Sequence, residues 1–144
     1  MPEQNYKNHA RYVPLYHFVL FGILVLTLIG SFVNLYQSWG DHMRIYSASL
    51  ISVLTVSMLM LFFFARIFAL KAQDRAIRAE ENFRHYLLAG KPLDGRLTIH
   101  QVIALRFAPD AEFVALAKRA ADEGLEPKVI KQSVKNWRGD YYRA

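Results

Sequence analysis

The chain has 144 residues, of which 53% are hydrophobic and 21% are charged, and its formal net charge is +6. It contains no cysteine, which excludes disulfides, thiolate metal sites, thiol nucleophiles and covalent haem attachment. Because the apolar residues are concentrated in the first half, the composition predicts a membrane part followed by a soluble part.

Two uncharged segments predict a transmembrane hairpin. Residues 12–40 and residues 45–65 contain no Asp, Glu, Lys or Arg, and a helix of either length crosses a hydrocarbon core about 30 Å thick. The first segment is longer than the apolar region of a cleaved signal peptide, about 7–15 residues. We therefore predict an N-terminal arm at 1–13, a first transmembrane helix at 14–39, an external loop at 40–44 and a second transmembrane helix at 45–66.

The distribution of positive charge predicts the orientation of the hairpin. The connecting loop is net neutral, with Asp41 and Arg44, whereas Lys7 and Arg11 precede the first span. The cations that follow the second span are Arg66, Lys71, Arg75, Arg78 and Arg84. Cytoplasmic flanks carry an excess of Lys and Arg, so we expect a multi-pass protein of the bacterial inner membrane with both termini cytoplasmic.

Small and polar residues within the spans predict how the two helices pack. On the first helix they recur at spacings of three and four, and on the second they occupy the half that follows the loop, so in an antiparallel hairpin the two sets meet at one depth. The predicted intramembrane packing residues are Thr27, Gly30, Ser31, Asn34, Ser49 and Ser52. A polar pocket near Asp41 and His42 is the alternative, but two helices without a buried charge are too few to line a conduction path.

His17 is the candidate ligand for a haem or another pigment. It lies near the inner end of the first span, but the second span has no histidine to face it. An interfacial histidine satisfied by water or headgroups is the favoured interpretation. We therefore expect no cofactor and no metal, and keep pigment binding through His17 as a third hypothesis.

The segment RIFALKAQDRAIRAEENFRHYLLAG predicts that the second helix continues beyond the span as a cytoplasmic stalk at 67–90. It contains no glycine or proline before Gly90, and Glu80 and Arg84 are spaced as an i, i+4 ion pair. Apolar side chains spaced alternately by three and four predict an association seam. The seam comprises Ala69, Ala72, Ala76, Ala79, Phe83 and Tyr86. Its partner is a second copy, the C-terminal module folded back, or another protein.

Residues 91–144 predict a module of three short helices. Thr98 and Gln101 match a capping box, Gly124 marks the end of the second helix, and Pro127 opens the third. The sequence leaves open whether the arm around His9 lies along the membrane or packs on the stalk.

The third helix is expected to carry a basic face of Lys128, Lys131, Lys135 and Arg138. Such a face on a three-helix module suggests nucleic acid binding, but residues 97–144 have eight cations against six anions. We favour a solvated or membrane-facing surface. The alternative function is a membrane-tethered regulator that binds an acidic partner, nucleic acid or lipid headgroups through this face.

Four blocks carry a resemblance that covers essentially the whole chain. They are NYKNHARYVPLYHF, ALKAQDRAIRAEENFRHYLL, LDGRLTIHQVIALRFAPDAEFVALAKRA and IKQSVKNWRGDYYR. Together they resemble a family of small bacterial membrane proteins classed as a domain of unknown function. The resemblance implies two transmembrane helices and a helical C-terminal region, and it supplies no activity or catalytic residues.

These patterns predict an all-α membrane protein that is not an enzyme. No constellation of nucleophile, base and orienting group is visible, and GKPLDGR lacks the P-loop pattern. The expected function is that of an accessory or anchoring subunit, or a self-associating scaffold, of a membrane complex. The expected partners are the lipid bilayer and a protein, either another chain or a second copy, and not nucleic acid.

Overall fold

The structure, a computed structural model, describes residues 4–9 and 11–141. Within these ranges the chain is all-helical, as predicted, with two long apolar helices and three short ones. The helices are α1 (Phe21–Gln37), α2 (His42–Ala89), α3 (Ile99–Leu105), α4 (Asp110–Glu123) and α5 (Pro127–Ser133). A π-helical segment, Leu15–Leu20, leads directly into α1.

The continuous second helix is confirmed. α2 has 48 residues and begins at His42, three residues before the predicted start, because the Asp41 carboxylate accepts hydrogen bonds from the backbone N–H groups of Met43 (3.1 Å) and Arg44 (3.2 Å). It ends where Gly90 adopts a left-handed conformation, φ +69°. Leu15–Gln37 and His42–Ala89 are both long and apolar enough to cross a membrane, with peak mean hydropathies of 2.4 and 2.3.

The described residues form two compact units, 11–68 and 4–9 together with 69–141. In the first unit the two apolar helical segments pack through a narrow line of mostly small residues. The buried members of this line are Leu24, Ser31, Ser38, Ala48, Ser52 and Thr55. Most of the large apolar side chains of this unit face outward; Leu26, for example, is 71% exposed.

The second unit contains an aromatic and aliphatic core built by α3, α4 and α5. Its largest fully buried side chains are Phe107, Phe113, Leu105, Ile130 and Val102. The helix boundaries follow local signals. Thr98 and Gln101 form the predicted capping box at the start of α3, Gly124 ends α4 in a left-handed conformation, and Pro127 opens α5.

The third helix of the module is shorter than the sequence predicts. α5 ends at Ser133, and the backbone N–H groups of Lys135 and Asn136 donate to the Glu112 carboxylate at 3.0 and 3.2 Å. The N–H of Arg138 donates to the Phe107 carbonyl at 2.8 Å. These acceptors replace the helical carbonyls that the N–H groups would otherwise need, so the chain leaves the helix and runs along the module.

Candidate interaction surface

One side of the stalk, the part of α2 from Ala69 to Ala89, is covered by the C-terminal module. Ile77, Glu81 and His85 are all buried, with 7%, 5% and 6% of their surface exposed. Because they are spaced by four residues, they lie on one face of the helix. The His85 ring lies edge-on to Phe113 with ring centroids 5.9 Å apart. The module therefore folds back onto the stalk, but it covers a face other than the predicted association seam.

Charged side chains stabilise the contact between the module and this covered face of the stalk. The Arg84 guanidinium lies 2.9 Å from the Glu81 carboxylate, donates to Asp110 at 2.7 Å, and stacks over the Phe113 ring at 4.3 Å from its centroid. Arg138 approaches the other oxygen of Glu81 at 3.4 Å. The i, i+4 pair of Glu80 and Arg84 does not form, because Arg84 turns toward Glu81 and the module instead.

The opposite side of the stalk is uncovered. All six residues of the predicted association seam, Ala69, Ala72, Ala76, Ala79, Phe83 and Tyr86, are exposed. Phe83 is 63% exposed, Tyr86 54% and the neighbouring Leu87 67%. At about 100° per residue, Ala79 lies about 200° around the helix axis from Glu81. The stalk thus has one face closed by its own module and an opposite apolar face that remains open.

A cleft of about 300 Å³ lies between the stalk and the end of the module. Its charged lining residues are Glu80, Glu81, Arg106, Arg138 and Asp140, and Ala76 of the seam also borders it. The Arg106 guanidinium lies 3.1 Å from Asp140. The cleft therefore contains both signs of charge: Arg138 pairs with Glu81 across the contact between module and stalk, whereas Arg106 and Asp140 pair within the module.

The N-terminal arm packs on the C-terminal module, an arrangement that differs from both locations considered from the sequence. The Gln4 side chain accepts from the backbone N–H of Asp140 at 2.7 Å, and the His9 ring lies 5.8 Å from the rings of Phe107 and Trp137. The signal in the arm that points to such packing is the pair of rings at Tyr6 and His9, which stack on each other with centroids 5.9 Å apart.

The predicted basic face is not a single helical row. Lys128 is exposed on α5, whereas Lys131 on the same helix donates to the His9 ring at 3.2 Å. Lys135 and Arg138 lie beyond the end of α5, and Arg138 pairs with Glu81. The predicted row does not form because it required one helix that continued through Arg138, whereas α5 ends at Ser133.

The predicted intramembrane packing residues divide into two groups. Ser31 and Ser52 are buried and in contact, since the Ser52 hydroxyl donates to the Ser31 carbonyl at 3.2 Å. Ser49 is half-buried, and Thr27, Gly30 and Asn34 are exposed. The contact line runs through residues spaced by seven, Leu24, Ser31 and Ser38, so the first helix is turned slightly from the predicted stripe.

His17 is engaged locally. Its Nδ1 lies 3.0 Å from both the backbone nitrogen and the carbonyl oxygen of Val13, and its ring lies edge-on to those of Tyr12 and Tyr16. Across the described ranges, no three His, Asp or Glu residues are grouped so that they could hold a metal ion.

Two carboxylates outside the apolar segments have lowered pKa values. Hydrogen bonds from Arg96 lower the pKa of Asp94 from 3.8 to about 2. The backbone N–H of Lys135, with further hydrogen bonds from Asn136, lowers the pKa of Glu112 below its ordinary value of 4.5. Both carboxylates have structural roles: Asp94 orders a turn, and Glu112 anchors the segment after α5.

The chain belongs to a protein family, the Family of unknown function (DUF6526), whose model matches residues 1–144. The match confirms that the four sequence blocks belong to an uncharacterised family. Comparison with curated proteins and with solved structures finds no match.

Proposed function

We propose that the protein is a non-enzymatic integral membrane protein of the bacterial inner membrane. In this proposal it acts as an anchoring or accessory subunit, or as a self-associating scaffold, of a membrane complex. The hairpin anchors the chain with both termini cytoplasmic, and the open face of the stalk binds a protein.

The observation that carries the proposal is the uncovered apolar face of the stalk. The module already buries one side of the helix through Ile77, Glu81 and His85, and yet Phe83 and Leu87 remain 63% and 67% exposed. A contiguous apolar patch on a helix of a folded protein is characteristic of an interaction surface. A solvated linker helix would carry polar residues at these positions.

The unit at 11–68 supports placement in lipid. Most of its large apolar side chains face outward, and hydroxyl groups on its exposed side donate to carbonyls of their own helix: Thr27 to Ile23 at 2.8 Å, and Ser57 to Val53 at 2.9 Å. In a bilayer every polar group needs a partner within the protein. The hairpin is consistent with this requirement.

The charged residues of the module support a role without catalysis. Asp110 and Arg138 of the module pair with Arg84 and Glu81 of the stalk, and Arg106 pairs with Asp140 within the module. Catalytic groups converge instead on a position where a substrate atom could lie. The arrangement favours a docking module.

Site-directed labelling tests anchorage and orientation, because the natural chain is free of cysteine. Met43→Cys places a thiol in the predicted external loop, where the side chain is 87% exposed, and Lys128→Cys places one on the module. In intact spheroplasts, an impermeant maleimide should label only the Met43→Cys variant, and both should be labelled after permeabilisation. The reverse pattern, or release of the protein by an alkaline wash, would contradict the proposal.

A further inference from the structure

We infer that the open face of the stalk binds a second copy of this chain, with the two stalks side by side and parallel. This inference rests on the proposed membrane function and names the partner of that same surface. It follows from the continuity of α2, the register of the seam and the charges beside it.

The continuity of α2 determines the direction of the two stalks. One helix, His42–Ala89, contains both the apolar segment and the stalk. Two copies inserted in one membrane with the same orientation therefore present their stalks in parallel. An antiparallel pairing would require one copy to be inverted.

The seam has the register of a coiled coil. In a heptad labelled a to g, positions a and d face the partner helix. Positions a are Ala69, Ala76 and Phe83, and positions d are Ala72, Ala79 and Tyr86. Alanine at four of the six positions permits close approach of the two helices, while Phe83 and Tyr86 supply larger apolar contacts at the end of the seam.

The charges beside the seam are complementary to a second copy in this orientation. Arg75 occupies position g and Glu80 the following position e. In a parallel two-stranded coiled coil, position g of one helix faces this position e of the other, and such pairs determine partner and orientation. By symmetry, Arg75 of each copy faces Glu80 of the other, which gives two ion pairs.

Arg75 and Glu80 are both available for this pairing. Within the portion of the chain that the structure describes, neither forms an ion pair, and both are exposed. Arg84, the cation four residues after Glu80, is held by Glu81 and Asp110. The module contacts the stalk through Ile77 and His85. Ala76 and Glu80 border the cleft beside the module, but both remain exposed, so a second stalk can bind without displacing it.

Confinement of both copies in one bilayer explains why a seam this short is sufficient for their association. It covers about two and a half heptads, and alanine contributes little apolar area per residue, so the seam alone would associate weakly in water. Two chains held in the same membrane meet at a high effective concentration, which strengthens a weak contact without any new interaction.

Cysteine cross-linking of the full chain in native membranes tests the inference. Ala79→Cys places a thiol at position d, and Arg78→Cys, the matched control, places one on the exposed helix surface outside the seam. We expect oxidation to yield a cross-linked dimer of the Ala79→Cys variant and about tenfold less of the Arg78→Cys variant, because only position d faces its own copy.

Charge reversal in the Ala79→Cys background tests the partner and its orientation together. Arg75→Glu alone and Glu80→Arg alone each replace two attractive pairs by two repulsive ones, and each should reduce the cross-linked fraction about tenfold. The double variant Arg75→Glu/Glu80→Arg should restore it, because the pairs reform with exchanged signs. A folding defect would not be repaired in this way.

Three results would overturn the inference, and they separate it from the proposed function. Equal cross-linking at positions 78 and 79, or reversal without effect, would exclude the parallel seam. Cross-linking of position 79 to a different protein would exclude the second copy but retain the anchoring subunit. A chain that neither cross-links nor co-purifies with any protein would exclude both.

Discussion

The two compact units bury their residues in opposite ways. In 11–68, the buried line holds small residues such as Ser31, Ala48 and Ser52, while most large apolar side chains face outward. In the unit formed by 4–9 and 69–141, Phe107 and Phe113 are fully buried. A unit that leaves its apolar side chains uncovered is suited to an apolar solvent, and one that buries aromatic residues in a core is suited to water.

The open face of the stalk is an exception to this contrast between the two units. Phe83, Tyr86 and Leu87 belong to the unit with the aromatic core, and yet they are exposed as the residues of the apolar hairpin are. Lipid covers the hairpin in our proposal, whereas a protein must cover the stalk face. The comparison thus distinguishes two kinds of apolar surface within one chain.

The largest effect should come from removing a core aromatic of the module. Phe113 is fully buried and lies beneath the Arg84 guanidinium, so Phe113→Ala should lower the free energy of unfolding of the module by about 3–5 kcal/mol. Amide hydrogen exchange of residues 99–133 measures this loss. Phe32→Ala, at a side chain that is 51% exposed in the hairpin, should leave that exchange unchanged. An equal loss in both variants would abolish the distinction between the units.

Breaking the buried ion pair should have the next largest effect. The side chains of Arg84 and Glu81 are only 12% and 6% exposed, so Arg84→Met leaves a buried carboxylate poorly compensated and should cost about 3 kcal/mol. Arg96→Met is the matched control, since the Arg96 side chain is 60% exposed and solvent screening leaves its ion pairs with little effect on stability. Denaturant unfolding of the purified protein compares the two. Similar losses would show that Glu81 is not buried in solution.

The stability of the hairpin should depend on the size of the side chains in the buried line between its two helices. Ser52→Leu introduces a large side chain where the hydroxyl meets the Ser31 carbonyl, and overpacking should cost about 1–3 kcal/mol. Energy transfer between labels at positions 20 and 63, followed as SDS separates the helices, measures the change. Ser57→Leu, on the exposed side, should have no effect. If only Ser57→Leu destabilised the hairpin, the two helices would be in contact on the face that carries Ser57 and not on the face that carries Ser52.

The smallest expected effect is a pH-dependent release of the segment after α5. The pKa of Glu112 is lowered in the folded protein, so its stabilising contribution is complete above the unfolded pKa of about 4.5 and is lost as the pH falls through the folded pKa. Trp137 fluorescence in a Trp39→Phe background should report this step, and Glu112→Gln should remove it. Asp94→Asn is the control, because the Asp94 carboxylate is bonded to Arg96 and does not anchor the segment after α5. A step unchanged by Glu112→Gln would assign the transition to another group.

The sequence predicts those parts of the fold that depend on neighbours along the chain. The capping box of Thr98 and Gln101, the left-handed stops at Gly90 and Gly124, and the uninterrupted α2 all follow from local residue types. Each requires only a hydrogen bond or a backbone conformation within a few residues.

The contacts between distant segments could not be predicted in this way. Glu81 and His85 resemble solvated helix positions, and only their spacing from Ile77 indicates a common face; their burial depends on where α4 packs. The end of α5 depends on Glu112, 23 residues before Lys135, whose carboxylate replaces helical acceptors. The spacing of the alanines predicts the association seam, but no local signal predicts that the seam lies opposite the module.

Native mass spectrometry of the tagged full-length protein, extracted from its own membrane with detergent-free polymer, tests the central claim most directly. We predict an assembly containing at least two protein chains, two of which are copies of this chain. Ala72→Leu/Ala79→Leu should change its size, because bulky residues cannot occupy a closely packed seam. A single chain surrounded only by lipid, in both the natural protein and the variant, would contradict the account.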